Sequence, residues 1–326
     1  MVYAAAKGMN SIIIDHHKVD NNLPESYAHI NPSRNEDNSG LNDLAAVGLT
    51  FIFVVGLRRA IRDKNIFPDI PEPSLKQYLD LVALGTVCDV VQLKGLNRAF
   101  VKEGIDIISK NSRLGIDGLR SISGSKDIGV TELGYRIGPR INAAGRTGAS
   151  DLGVRLLTSN SEDEVLAISE RLNNLNKQRQ NIEETVLFEA INNIENNISI
   201  KKLNTFPNSV IVSGENWHLG VLGIVASRLK DKYYRPSFVL SSSKGKLTGS
   251  ARSISGIDVG KLIIKAVNKN LLVTGGGHKM AAGFSLYEDT FEKFRKFCEE
   301  EIYLQSNSTT LDKINYYDEI IDSSNI

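Results

Sequence analysis

Two apolar patterns alternate along the first half of the chain. Short β-branched runs such as Ser11-Ile12-Ile13-Ile14 read as buried strands, and longer stretches with apolar residues every three or four positions read as helices. Ala4 to Met9 reads as the end of a helix feeding the strand. Residues 42–62 form a strongly apolar helix expected to pack on that strand's sheet. Pro68, Pro71 and Pro73 mark a loop. Leu75 to Ala83 is then a helix leading into the apolar segment Leu84-Gly85-Thr86-Val87-Cys88-Asp89-Val90-Val91. Such alternation predicts α/β units around a parallel sheet.

No proline occurs from Arg140 to Phe206. Within that stretch, Glu162 to Asn197 carries Val165, Ile168, Leu172 and Leu175 at helical spacing among charges and amides. This predicts one long helix or two abutting ones, and a helix polar on most faces suits a bridge between domains. After Pro207 the pattern changes to strands at 209–212, 237–240 and 246–250 around a helix at 219–232. The expected organisation is a parallel-sheet α/β domain over 1–155 and a connecting long helix over 156–205. A smaller α/β domain over 206–300 and a polar tail over 301–326 follow. No repeat at a fixed period is evident.

Composition narrows the class without naming it. The chain has 326 residues, 41% hydrophobic and 24% charged, as in soluble globular proteins, and is long enough for two cores. No apolar stretch reaches the length of a membrane span, and the start lacks a signal-peptide pattern, so no membrane partner is expected. The two cysteines, Cys88 and Cys298, lie far apart, as expected of a reducing cytoplasm. With a net charge of +1, any nucleic-acid reading must rest on local placement of Arg and Lys.

Candidate chemistry concentrates at four places. Asp15-His16-His17 leaves the strand 11–14 at its carboxyl end, where open α/β sheets place ligands. One carboxylate and two imidazoles suit a divalent metal and a hydrolytic site; a polar turn with two solvated histidines is the plainer reading. Asp89 ends the apolar segment 84–88, where a buried carboxylate needs a partner or a metal, although a helix cap would also place it there. Gly138-Pro139-Arg140-Ile141-Asn142-Ala143-Ala144-Gly145-Arg146 sets Arg140, Asn142 and Arg146 between glycines. That suits a phosphate backbone, or a loop capping helix carbonyls. In Thr274 to Gly283, the glycines Gly275, Gly276 and Gly277 predict a nest of backbone N–H groups after a strand. His278 and Lys279 add donors, and a helix of small residues follows. Arg252 adds a further phosphate contact in the same domain, and Trp217 offers either a stacking face or a core side chain.

In order and spacing these motifs resemble the DHH phosphoesterase superfamily, and within it the RecJ family of single-strand-specific exonucleases. Asp15-His16-His17 matches the name-giving motif, and Gly85 to Val91 resembles the acidic motif that follows, with Cys88 where alanine is usual. Asn216 to Ile224, Gly249 to Ile254 and Gly275 to Gly283 resemble the DHHA1 domain. The resemblance implies a DHH domain joined by a long helix to a DHHA1 domain. It implies His16 and Asp89 as ligands of Mn²⁺ or Mg²⁺, with His17 at the scissile phosphate or the water and Asp15 orienting an imidazole. Arg140, Asn142, Arg146 and the Gly275–His278 segment would hold DNA. The implied reaction is two-metal hydrolysis of single-stranded DNA from the 5′ end.

The chain departs from that pattern in one respect. The family carries two acidic motifs upstream of the DHH triplet, whereas no Asp or Glu precedes Asp15 here. The expectation is a fragment, with a separately encoded N-terminal portion as partner and Leu311 to Asn315 leading toward a missing OB-fold. The competing readings are an inactive single-stranded-DNA-binding remnant and a phosphoesterase for short oligonucleotides or cyclic dinucleotides. The segment 138–146 and the long helix argue against the last of these.

Overall fold

The strands Ile12–Ile14 (β1) and Ala28–Ile30 (β2) pair in parallel, with Ile13 opposite His29, and this pair carries the first candidate site. The computed structural model describes residues 1–19, 23–110, 113–146, 151–201 and 207–306. The chain divides into two compact units, Met1–Asn176 and Lys177–Ile326.

In the first unit a short helix, Val2–Ala6 (α1), precedes β1, and the rest is helical. Its helices are Ala46–Asp63 (α2), Leu79–Cys88 (α3), Gly95–Lys110 (α4), Leu114–Ser123 (α5), Val130–Glu132 (α6), Gly138–Arg146 (α7) and Leu152–Thr158 (α8). The first part of Glu162–Lys201 (α9) completes the unit. The predicted parallel sheet is present as the β1–β2 pair, and α2 packs on β1 and α3. The apolar segment at 84–88 continues α3 rather than interrupting it. Seven of the residues in α3 are buried, so the helix is apolar on nearly every face and sits at the centre of the unit. Close approach is built in: a Cβ at Gly104 of α4 would lie 2.2 Å from the Leu79 carbonyl oxygen. Ile108, Ile116, Leu119, Leu133, Leu156 and Leu172 fill the core around it.

The long helix predicted from 162 is a single helix, α9, and the division between units falls within it. The connector assigned to 156–205 is therefore shared: Val165, Ile168 and Leu172 belong to the first core, Val186 and Ala190 to the second unit's.

The second unit is a five-stranded mixed sheet in the order β3-β4-β5-β7-β6. Its strands are Val210–Glu215 (β3), Ser237–Ser243 (β4), Lys246–Arg252 (β5), Thr274–His278 (β6) and Ala281–Tyr287 (β7). The helix Leu219–Tyr233 (α10) connects the parallel pair β3–β4 and lies on one face with Val212 and Val239. Val259–Asn268 (α11) and Phe291–Gln305 (α12) cover the other face, where Phe238, Leu240, Phe284 and Phe294 pack. Alternation along each strand sends successive side chains to these two cores. The tail assigned from 301 begins inside α12, and Leu311 to Asn315 lie outside the described residues. No helix among the described residues is long and apolar enough to cross a membrane.

Candidate metal centre and nucleic-acid surface

The backbone of Asp15 extends the parallel ladder, donating to the Ile30 carbonyl at 3.0 Å, so the triplet leaves β1 in a defined direction. Asp15 Oδ1 accepts from the His16 backbone N–H at 2.8 Å and from His17 Nδ1 at 2.7 Å. Burial alone would push the Asp15 carboxyl up, but the His17 side chain and the His17 and His16 amides hold it below the usual carboxylate range. Ionised, Asp15 is an acceptor only, so His17 carries its proton on Nδ1 and keeps the Nε2 lone pair available.

Asn31 and Ser33, just after β2, fix the backbone of the triplet from the other strand. Asn31 Nδ2 donates to the His17 carbonyl at 2.9 Å, and Ser33 Oγ donates to the His16 carbonyl at 3.1 Å. Asn31 is itself 2% exposed and receives the Ser33 N–H on Oδ1 at 2.8 Å. The sequence reading passed over both, and the only local signal is the polar Asn-Pro-Ser that ends the strand 28–30.

His16 Nε2 lies 3.2 Å from Asp89 Oδ2, with the two side chains 17% and 39% exposed. Asp89 occupies the C-terminal end of α3, where a carboxylate meets the negative end of the helix dipole. Asp89 does end the helix, as the capping reading has it, but its carboxylate there costs stability rather than adding it. Donor atoms of Asp15, His16 and His17 all lie within 4.8 Å of one another. Imidazole nitrogens and carboxylate oxygens gathered this way match the ligand preferences of Mn²⁺, and the carboxylates match those of Mg²⁺. The donor chemistry of Asp15, His16 and His17 therefore fits a divalent ion, and Asp89 stands beside His16. Beside them, burial and the Asp89 charge push the Cys88 thiol up to about 11.

The segment Gly138 to Arg146 corrects the sequence reading. It is the helix α7, preceded by one wide π-type turn over Leu133–Ile137, and not a phosphate-cradling loop. Pro139 sits where the π-type turn passes into α7, at an interruption of the regular hydrogen-bond ladder. Gly138 serves packing, since a Cβ there would lie 2.4 Å from Cys88 Sγ. Arg140 donates from Nε to Asn173 Oδ1 at 3.0 Å and from Nη1 to the Arg136 carbonyl at 2.6 Å. Burial, and then Arg136, lower its guanidinium pKa. Asn142 is exposed, and the backbone of Arg146 ends the helix.

The glycines at 275–277 also differ from expectation. They form the edge strand β6 of a hairpin with β7, so neither a nest nor a helix of small residues is present. Pairing along β7 holds them extended, and Gly260 of α11 lies against the His278 backbone, where a Cβ would approach to 2.9 Å. Gly277 can have no Cβ, which would sit 2.3 Å from the Ala281 carbonyl oxygen. Gly276 and its cross-strand partner Gly283 are open instead, leaving the sheet face bare beside exposed His278. Arg252 is half-buried against α10, and Gly223 makes room for it: a Cβ at 223 would lie 2.8 Å from Arg252 Nη2.

Trp217 corrects the stacking option. It is 6% exposed, its Nε1 donates to Glu189 Oε2 at 2.7 Å, and it packs on Gly214, so the indole is a core group.

The scaffold so defined combines a DHH-type unit with a DHHA1-type unit. Residues 1–86 match the DHH family, N-terminal domain, and residues 207–303 match the DHHA1 domain. The chain is 36% identical over 301 residues to the single-stranded-DNA-specific exonuclease RecJ of Haemophilus influenzae, covering 90% of this chain and 52% of that protein. The crystal structure of RecJ in complex with Mn²⁺ from Thermus thermophilus superposes with a TM-score of 0.76 at 31% identity, over 92% of this chain and 42% of that one. A manganese-bound exonuclease RecJ matches with a TM-score of 0.71 at 30% identity, over 95% of this chain and 74% of that one. The chain belongs to the RecJ family of DHH proteins. It spans about half the length of the curated relatives it matches.

Proposed function

We propose that this chain carries part of the divalent-metal centre and the strand-binding surface of an exonuclease that hydrolyses single-stranded DNA from the 5′ end. The observation that carries the reading is the His16–Asp89 approach of 3.2 Å at the meeting of a strand end and a helix end. The RecJ structures that resemble it hold Mn²⁺ or Mg²⁺, and we assign His16 and Asp89 as ligands of such an ion here. A divalent ion held there supplies Lewis-acid stabilisation of charge on the phosphate. A six-coordinate ion needs more donors than this pair. Further carboxylates, on the same polypeptide or on a separately encoded N-terminal portion, complete the set in this reading.

Hydrolysis forms a bond from water oxygen to phosphorus and breaks the bond from phosphorus to the leaving O3′. The water gives up a proton, and the leaving oxygen gains one. The Asp15–His17 hydrogen bond fixes the imidazole so that Nε2 accepts the water proton, a geometry-first role for a general base. Arg140, Asn142 and Arg146 on α7, and Arg252 with the bare Gly276–Gly283 face and His278, are the proposed contacts to the DNA backbone.

The test is nucleotide release from 5′-phosphorylated single-stranded DNA by the purified chain with Mn²⁺, alone and with an added N-terminal RecJ portion. Release abolished by His16→Ala supports the reading. Binding without release under both conditions overturns it in favour of an inactive DNA-binding protein.

A further inference from the structure

We propose that the second unit holds a phosphate-binding subsite at the N-terminus of α10, distinct from the Arg252 and β6–β7 surface. A cavity of about 540 Å³ opens there, walled by Asn216, Trp217, His218, Ser241, Lys246 and Thr248. Along β5, Lys246 stands about 20 Å from Arg252 at the rise of an extended strand.

The sheet explains why the wall is polar. Val239 of β4 faces α10 and lies in its core, so Ser241, two residues on, points to the same side beyond the start of the helix. Thr248 is its cross-strand partner, and Lys246 pairs with Ser243. Ser241 is 5% exposed and lines the cavity, yet its hydroxyl makes no hydrogen bond among the described residues. The Ser241 oxygen is not among the enclosed groups that lack a partner, so it opens to the cavity, where a ligand can take up its hydrogen bond.

The surrounding charge selects an anion. His218 Nδ1 accepts from the Gly220 N–H at 3.1 Å, which leaves the neutral imidazole with its proton on Nε2 as a donor. The helix that follows is 15 residues long, and its N-terminus carries the positive end of the dipole. Lys246 is exposed and forms no ion pair among the described residues, and no carboxylate lines the cavity. Donor hydroxyls, an ammonium group and a helix N-terminus together match a tetrahedral oxyanion. The phosphate group has two available sources, the backbone of a bound DNA strand or a free mononucleotide.

This inference does not rest on the nuclease reading, because it requires neither the triplet nor a metal. Trp217 is the only tryptophan in the chain and forms part of the wall, so its emission reports occupancy. The full chain in a chelator is titrated with inorganic phosphate, with thymidine 5′-monophosphate and with a short oligothymidylate, and backbone amide shifts at Leu219 and Gly220 are followed in parallel. Saturable change with the oligonucleotide alone assigns the site to the DNA backbone; saturation by phosphate and the mononucleotide assigns it to free nucleotide. In either case Lys246→Ala and Ser241→Ala weaken binding at least tenfold with an unchanged melting curve. No saturable response by either readout, or a response that survives both cavity substitutions, overturns the proposal.

Discussion

His16 and Asp89 face each other at 3.2 Å although one leaves a β-strand and the other ends an α-helix. The approach depends on α2 packing on both β1 and α3, and on Gly85, where a Cβ would lie 2.8 Å from Val47 Cγ1. In the proposed reading the two groups supply separate donors to one ion, so removing either the carboxylate charge or the imidazole nitrogen takes one donor away.

Asp89→Asn is the mildest probe of this pair. The amide keeps the shape and loses the anionic oxygen, so Mn²⁺ affinity falls at least tenfold, about 1.4 kcal/mol. Electron paramagnetic resonance of free Mn²⁺ measures it directly. An affinity equal to the parent's would exclude Asp89 as a ligand.

The Asp15 carboxylate is bonded to the His17 ring and to the His16 backbone N–H. Its folded-state pKa lies below the ordinary value of 3.8, so its contribution to local order is present above that pH and is lost as pH falls through the folded value. Asp15→Asn removes the anionic acceptor, frees the imidazole and lowers kcat about 10²-fold or more with little change in KM. A matching rise in KM with kcat intact would make Asp15 a binding group instead.

The triplet stood out because its three polar side chains are contiguous, and β-branched Ile12–Ile14 announced the strand before it. Asp89 was legible by position, but its element was not. The residues of α3 are apolar on nearly every face, so no period of 3.6 survives to distinguish a buried helix from another buried segment. Gly138 and Gly275 misled for a shared reason. Glycine in a sequence suggests turns and phosphate cradles, whereas here Cys88 crowds Gly138 and the α11 residues Ile263 and Val267 crowd Gly275. Asn31 and Ser33 look like any turn, because their carbonyl partners belong to the other strand.

Cys88 is next to Asp89 yet is expected to be chemically quiet. Burial, assisted by Asp89, raises its thiol from 9.0 to about 11. The protonated thiol's contribution to stability is therefore intact below pH 9.0 and fades as pH rises toward about 11. At pH 8 the native chain should incorporate iodoacetamide at Cys88 only after denaturant is added, because the thiolate is the nucleophile. Rapid labelling of Cys88 in the folded chain would contradict the burial that the structure shows.

Gly223 is the sharpest test of the second unit's surface, because it acts only through Arg252. A Cβ at 223 would lie 2.8 Å from Arg252 Nη2 and 3.4 Å from its Cζ, both at the flexible end of the side chain. Gly223→Ala therefore moves the guanidinium and leaves the backbone of α10 in place. In a helix interior the change from glycine to alanine is itself favourable by about 0.5–1 kcal/mol, so the melting temperature holds or rises. Single-stranded DNA binding weakens by the loss of about one phosphate contact, and the slope of log affinity against log salt becomes shallower by about 0.7. The same loss of slope in Arg252→Ala, with no further loss when the two are combined, ties both effects to one guanidinium. Additive losses would separate Gly223 from Arg252 and place the DNA contact elsewhere on the sheet.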